Sequence, residues 1–217
     1  MLKLVVGDKN LSSWSMRAYL AARLSGLPFE EIVILLDRPD TAARIATHAP
    51  AGKVPVLVDG ATRVWDSLAI IETLAERAPA LWPKDAAARA MARSACAEMH
   101  SGFADMRRVM TMNVMARRPI AEADVPPAVK RDTDRVQALW RECHAAHGAG
   151  GPFLFGAFSA ADCFFAPVAT RFVTYGTRLA PDSAAYVDAL VAHPVVAAWL
   201  AEAAAEETLT GSATSAH

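Results

Sequence analysis

The sequence predicts an α/β half followed by an all-helical half. Three observations carry this. Apolar runs and helical stretches alternate over the first eighty residues, the alternation stops after Trp82-Pro83-Lys84, and everything beyond has helical spacing broken only by proline and glycine. At 217 residues the chain is long enough for two compact units sharing an interface. The expected units are residues 1–81 and 87–217.

In order, the first half reads as a strand at 2–6 (LKLVV), a helix at 14–25, a strand at 28–35 (PFEEIVIL), a helix at 41–48, two strands at 54–60 (VPVLVDG) and 62–65 (TRVW), and a helix at 67–78. A strand, helix and strand in succession imply a parallel pair joined by a right-handed crossover. The adjacent strands turning at Asp59-Gly60 imply a hairpin. A mixed four-stranded sheet with three helices in this order is a thioredoxin-like arrangement. The second half is rich in Ala, Met and Arg at helical spacing, with interruptions at Pro119, Pro126-Pro127, 148–152 and Pro181. Within it, Ser159-Ala160-Ala161-Asp162 reads as a capping box with Asp in place of Glu, flanked by Phe158 and Cys163 at the staple positions. The polar end GSATSAH is expected to fray.

Composition narrows the function. Hydrophobic residues make up 53% and charged residues 21%, with a net charge of -1, so neither a disordered tail nor a nucleic-acid footprint is indicated. The opening MLKLVVGDKN is too brief an apolar run for a signal peptide or a membrane span, which leads us to expect a cytoplasmic protein. Cys96, Cys143 and Cys163 form no CxxC pair and are expected to be buried, reduced thiols rather than metal ligands or a disulfide framework. His144 and His147 share a helical face without a third ligand. They and His100 read as structural or surface residues, so no metal is expected.

Three features carry the candidate chemistry. The stretch Asn10-Leu11-Ser12-Ser13-Trp14-Ser15-Met16-Arg17 joins the first strand to the first helix and places hydroxyls at a helix N-terminus. Unpaired N–H groups and the positive dipole end favour an anion there, and the usual first-turn carboxylate is missing. The serines would serve as caps, as an anion site, or as both. Second, Gly52-Lys53-Val54-Pro55-Val56 puts a proline at a strand start, where its missing N–H costs least; the bond before it is either an ordinary trans bond or cis. Third, Trp65-Asp66-Ser67 opens another apolar helix. Asp66 either caps that helix or accepts an ammonium group while Ser67 and the helix N–H groups hold a carboxylate, together matching an amino-acid head group.

All three features in this order, followed by PFLFGAFSAADCFFAPVATRF, resemble the cytosolic glutathione transferase superfamily over nearly the whole chain. LSSWSMRAYLAA is similar to its serine-type classes. The resemblance implies Ser12 as the catalytic hydroxyl, with Ser13 as the alternative, and Trp14 and Arg17 supporting the helix N-terminus. It further implies a cis Pro55, Val54 pairing its backbone with the cysteinyl part of glutathione, Lys53 near the glycine carboxylate, and Asp66 with Ser67 on the γ-glutamyl head group. The expected partners are glutathione as co-substrate, a small electrophile and a second copy of the chain, with no nucleic acid, no membrane and no bound cofactor. The zeta class carries a cysteine where Trp14 stands, which weakens an expectation of maleylacetoacetate isomerase activity. A non-catalytic, regulatory protein on the same fold is the alternative; thiol–disulfide exchange lacks the cysteine it requires at the helix start.

Two further expectations concern the second half. A long helix carrying Phe103, Met106, Met110, Met112 and Met115 would supply either core or the wall of an electrophile pocket. Arg107, Arg108, Arg117 and Arg118 are expected to face solvent, whereas Arg17 either faces solvent or turns inward and adds positive potential.

Overall fold

In the computed structural model, residues 1–49 and 51–210 are described, with side chains through Glu206, so the polar end GSATSAH lies outside the described residues. The first half contains strand β1 (Leu2–Gly7), helix α1 (Ser13–Ser25), β2 (Phe29–Ile34), α2 (Thr41–Ala46), β3 (Val56–Asp59), β4 (Thr62–Trp65) and α3 (Ser67–Arg77). The sheet order is β2-β1-β3-β4. β1 runs parallel to β2, with Val5 opposite Ile32, and antiparallel to β3, with Val5 opposite Val56. The hairpin joins Val56 to Trp65 and turns through Gly60, whose φ of +58° suits a residue without a Cβ.

β1 is buried on both faces because helices cover both sides of the sheet. Val5, Ile34, Val56 and Val58 pack with Ile45 and Ala49 on the α2 side. Leu4, Val6 and Leu57 join α1 and α3 in a second cluster that continues without interruption into the helical half. Five buried apolar or small residues, with only Lys3 exposed, are what such a doubly covered strand requires.

The second half consists of α4 (Ala86–Ser101), α5 (Ala104–Val109), α6 (Pro127–His147), α7 (Ala160–Tyr175), α8 (Pro181–Ala192) and α9 (Pro194–Thr210). α7 is the central rod: every residue from Ala160 to Phe172 is buried, and it packs on α1, α4 and α8. Pro127, Pro181 and Pro194 each open a helix, the position where proline's missing N–H is harmless. The capping box is present as expected, with Asp162 Oδ2 accepting from the Ser159 backbone N–H at 2.8 Å. Phe158 packs on Phe153 and lies flat against His193 at 3.6 Å. Among the described residues no single helix is long and apolar enough to cross a membrane.

The expected long methionine helix does not form. Gly102 and Phe103 end α4, Phe103 adopting a left-handed φ of 57°, and α5 is only six residues long. A side chain at Gly102 would meet the Glu98 carbonyl at 2.8 Å. Phe103, Met106, Met110 and Met112 are buried in the core, so of the candidate pocket wall only Met115, 39% exposed, reaches the surface.

Candidate functional site

The ends of three strands bring the candidate residues together. The C-terminal end of β1, the N-terminal end of β3 and the C-terminal end of β4 meet at the same end of the sheet's strands, because β3 runs against both neighbours. Ser12 follows β1, Pro55 precedes β3 and Asp66 follows β4, so segments distant in sequence open at the same place. The Val54–Pro55 bond is cis, and Pro55 is buried. Lys53 is exposed in the turn before it.

Ser12 occupies the N-cap of α1, yet its side chain makes no capping bond and no acidic residue lies in the first turn. Its hydroxyl instead donates to Ser15 Oγ at 2.7 Å, and Ser15 Oγ also accepts from the Gly7 backbone N–H at 2.9 Å. A side chain at Gly7 would press on Ser12 Cβ and Oγ at 2.9 Å. The strand end therefore has to be glycine for Ser12 to sit where it does. Ser12 and Ser13 are both largely buried, and Ser13 lends its carbonyl to Arg17.

Arg17 takes the inward alternative. It is fully buried, not solvent-exposed, donating from Nε to the Phe164 carbonyl at 2.9 Å and from Nη1 to the Ser13 carbonyl at 3.0 Å. Its guanidinium lies 4.4 Å from the Trp14 ring and 4.9 Å from Phe164. Nη2 is buried without a hydrogen-bond partner among the described residues. Burial, and then the neighbouring Arg171 and Arg107 charges, push its pKa well below the usual arginine value. Arg107 is a correction: it donates to the Met99 and His100 carbonyls and lies over Trp14. Arg108, Arg117 and Arg118 are exposed as expected.

Asp66 has a φ of 75° and caps α3, its Oδ1 accepting from the Leu68 and Ala69 N–H groups at 2.9 and 3.3 Å. Its Oδ2 remains free of the cap and meets His100 Nε2 at 2.6 Å. Ser67 is buried, and its hydroxyl finds no partner among the described residues. His100, expected as a structural or surface residue, is half-exposed and packs its ring 5.3 Å from that of Trp14. Nothing local marks it, since its partner is 34 positions away.

The loop before Ser12 is clasped by the helical half. Lys9 is almost fully buried between Tyr19 and Trp199, and its ammonium pairs with Glu31 and with Glu202 at 2.6 Å. Its backbone N–H donates to Glu206 at 2.6 Å, and its carbonyl accepts from Trp199 Nε1 at 2.9 Å. Asn10 accepts backbone N–H groups from Val114 and Met115.

The three cysteines are buried and free, as expected. Burial pushes Cys143 up to about 12 and the Cys96 and Cys163 thiols well above their ordinary value, which disfavours the thiolate at each. His144 bonds the Phe153 carbonyl and His147 stacks on Phe155.

Residues 11–77 match the family described as "Glutathione S-transferase, N-terminal domain", and residues 126–202 match "Glutathione S-transferase, C-terminal domain". "Glutathione S-transferase Z1" of Arabidopsis thaliana is 30% identical over 162 residues, 72% of this chain and 71% of that protein. A "Probable maleylacetoacetate isomerase" of Caenorhabditis elegans is 30% identical over 109 residues, 49% of this chain and 51% of that protein. Among solved structures, a theta class glutathione S-transferase from Xanthomonas axonopodis pv. citri with glutathione bound superposes with a TM-score of 0.64 at 25% identity, covering 92% of this chain and 96% of that one. A glutathione transferase homolog from Burkholderia GL BGR1, also with bound glutathione, gives 0.69 at 23% identity over 94% and 98%.

Proposed function

The chain belongs to the glutathione S-transferase family, and from that premise we propose that it binds glutathione at the C-terminal end of β1 and activates its thiol with Ser12 for attack on a small electrophile. The observation that carries this reading is the start of α1: a serine at the N-cap of a buried helix whose side chain caps nothing and whose first turn holds no carboxylate. Asp66 Oδ2 and Ser67 suit the ammonium and carboxylate of the γ-glutamyl head. Val54, ahead of the cis Pro55, offers backbone groups to the cysteinyl part, and exposed Lys53 suits the glycine carboxylate.

A thiol near the ordinary pKa of about 8.5 is mostly protonated at neutral pH, and the thiolate is the nucleophile. A hydrogen bond from Ser12 to the charged sulfur is worth about 1.5 to 3 kcal/mol, and the α1 dipole contributes up to ~2 kcal/mol. At about 1.36 kcal/mol per pKa unit, the two lower the thiol by about two units, enough to make thiolate predominant at pH 7. Arg17, buried beneath the same turn, adds positive potential. To reach the sulfur, the Ser12 hydroxyl rotates away from Ser15, and Ser13 is the alternative donor. The electrophile is held between the two halves, and the enzyme acts as a homodimer; sedimentation at the monomer mass would overturn that last element.

Thiolate absorbance of bound glutathione at neutral pH, compared between the native chain, Ser12→Ala and Ser13→Ala, tests the mechanism. The band is expected in the native protein and lost in Ser12→Ala alone. Loss only in Ser13→Ala moves the role to that residue. Saturable binding with no band in any form sinks activation and leaves a non-catalytic glutathione-binding protein.

A further inference from the structure

We infer that His100 is a positioning residue for the glutathione site, holding Asp66 at the γ-glutamyl end and Trp14 beside the sulfur end from a helix of the other half. The inference rests on the glutathione reading above.

Two independent contacts of one imidazole carry it. Nε2 meets Asp66 Oδ2 at 2.6 Å, and the ring packs on Trp14 at 5.3 Å and on Phe164 at 6.3 Å. Asp66 needs such a partner. Its Oδ1 is committed to the cap of α3, its backbone lies in the left-handed region at a φ of 75°, and the side chain is 42% exposed. A half-exposed carboxylate with one oxygen tied and the other loose samples several rotations. The His100 bond fixes the plane of the carboxylate and leaves a second lone pair of Oδ2 for a ligand ammonium.

The imidazole is itself fixed. It belongs to the last turn of α4, where the Met99 and His100 carbonyls both accept from Arg107 Nη1 at 3.2 Å. Arg107 in turn lies 5.6 Å from the Trp14 ring, whose other cationic neighbour is buried Arg17 at 4.4 Å. Trp14 is therefore lined by His100, Phe164, Arg107 and Arg17, and His100 also touches Asp66. Displacing the imidazole frees both ends of the site at once, although His100 needs no contact with the reacting sulfur.

His100→Phe keeps a ring against Trp14 and loses the Asp66 bond; His100→Gln keeps a donor and loses the ring. In His100→Phe the KM for glutathione is expected to rise about tenfold, the loss of one charge-assisted hydrogen bond, with kcat within about twofold. His100→Gln recovers part of that KM, and combining His100→Phe with Asp66→Asn adds little to Asp66→Asn alone. A thermal melt of each variant confirms folding, and an independent binding titration uses S-hexylglutathione. If the native enzyme binds S-hexylglutathione and a folded His100→Phe shows an unchanged KM, or a fall in kcat alone, the role of His100 is overturned while the glutathione reading stands. If the native chain binds neither glutathione nor S-hexylglutathione, both fall together.

Discussion

The starts of α1 and α7 are built from the same residue type and finished in opposite ways. At α7, Ser159 and Asp162 close the helix start: Asp162 accepts from the Leu154 and Ser159 N–H groups and from the Ser159 and Tyr186 hydroxyls, all buried. At α1, Ser12 stands at the same cap position, but Ser15 takes the place of the acid and the hydroxyl turns to it instead of to the backbone. One helix start is saturated with its own partners; the other keeps its positive end for something else. What separates the two serine caps is the carboxylate three residues on, present at α7 and replaced by Ser15 at α1.

That contrast can be broken from either side. The largest effect is expected from Asp162→Ala, which strands four buried donors and costs about 3 to 5 kcal/mol of stability, read from the midpoint of chemical denaturation. The same carboxylate predicts a pH signature. Burial pushes Asp162 from its ordinary 3.8 up to about 6, against the pull of its hydrogen bonds. Between those values the folded chain holds a proton that the unfolded chain has released, so this group's stabilising contribution is complete below 3.8 and is lost as pH rises through about 6. Relative to Asp162→Asn, the native protein should lose about 3 kcal/mol from pH 4 to 7 and stay level above. A flat difference would refute it.

Ser15→Asp builds the α7 arrangement at α1. The new carboxylate should fill the anion position, raise the KM for glutathione by about 10- to 100-fold and abolish the thiolate band. Retention of the band would show that the open helix end is not what holds the sulfur. Ser12→Ala is the mildest: the bound thiol pKa should rise by about one to two units, while stability changes by less than ~1 kcal/mol, since no capping bond is lost. A pH titration of the thiolate band and a thermal melt check the two halves of that statement.

The sheet is legible because β1 and β3 carry their burial in short apolar runs bounded by turn residues, and the capping box because its partners are three residues apart. The choice between the two alternatives for Arg17 is not legible because α1 is wrapped by the sheet on one side and by α7 on the other, so no polar stripe tells an inward position from an outward one. The methionine segment failed because helical spacing runs through Gly102, where the close approach of the Glu98 carbonyl and the left-handed Phe103 break the helix. His100 escaped because its meaning lies entirely in Asp66 and Trp14, which are near it only after folding. The candidate site was thus readable where it is made of consecutive residues, and unreadable where the helical half reaches into it.

The clasp on Lys9 has a consequence for synthesis. The loop that presents Ser12 is synthesised 190 residues or more before Trp199, Glu202 and Glu206, which hold it. The sheet can pair before α9 exists, but the clasp on Lys9 closes only once α9 has been made, so the loop ahead of Ser12 takes its final packing after the helical half has been synthesised.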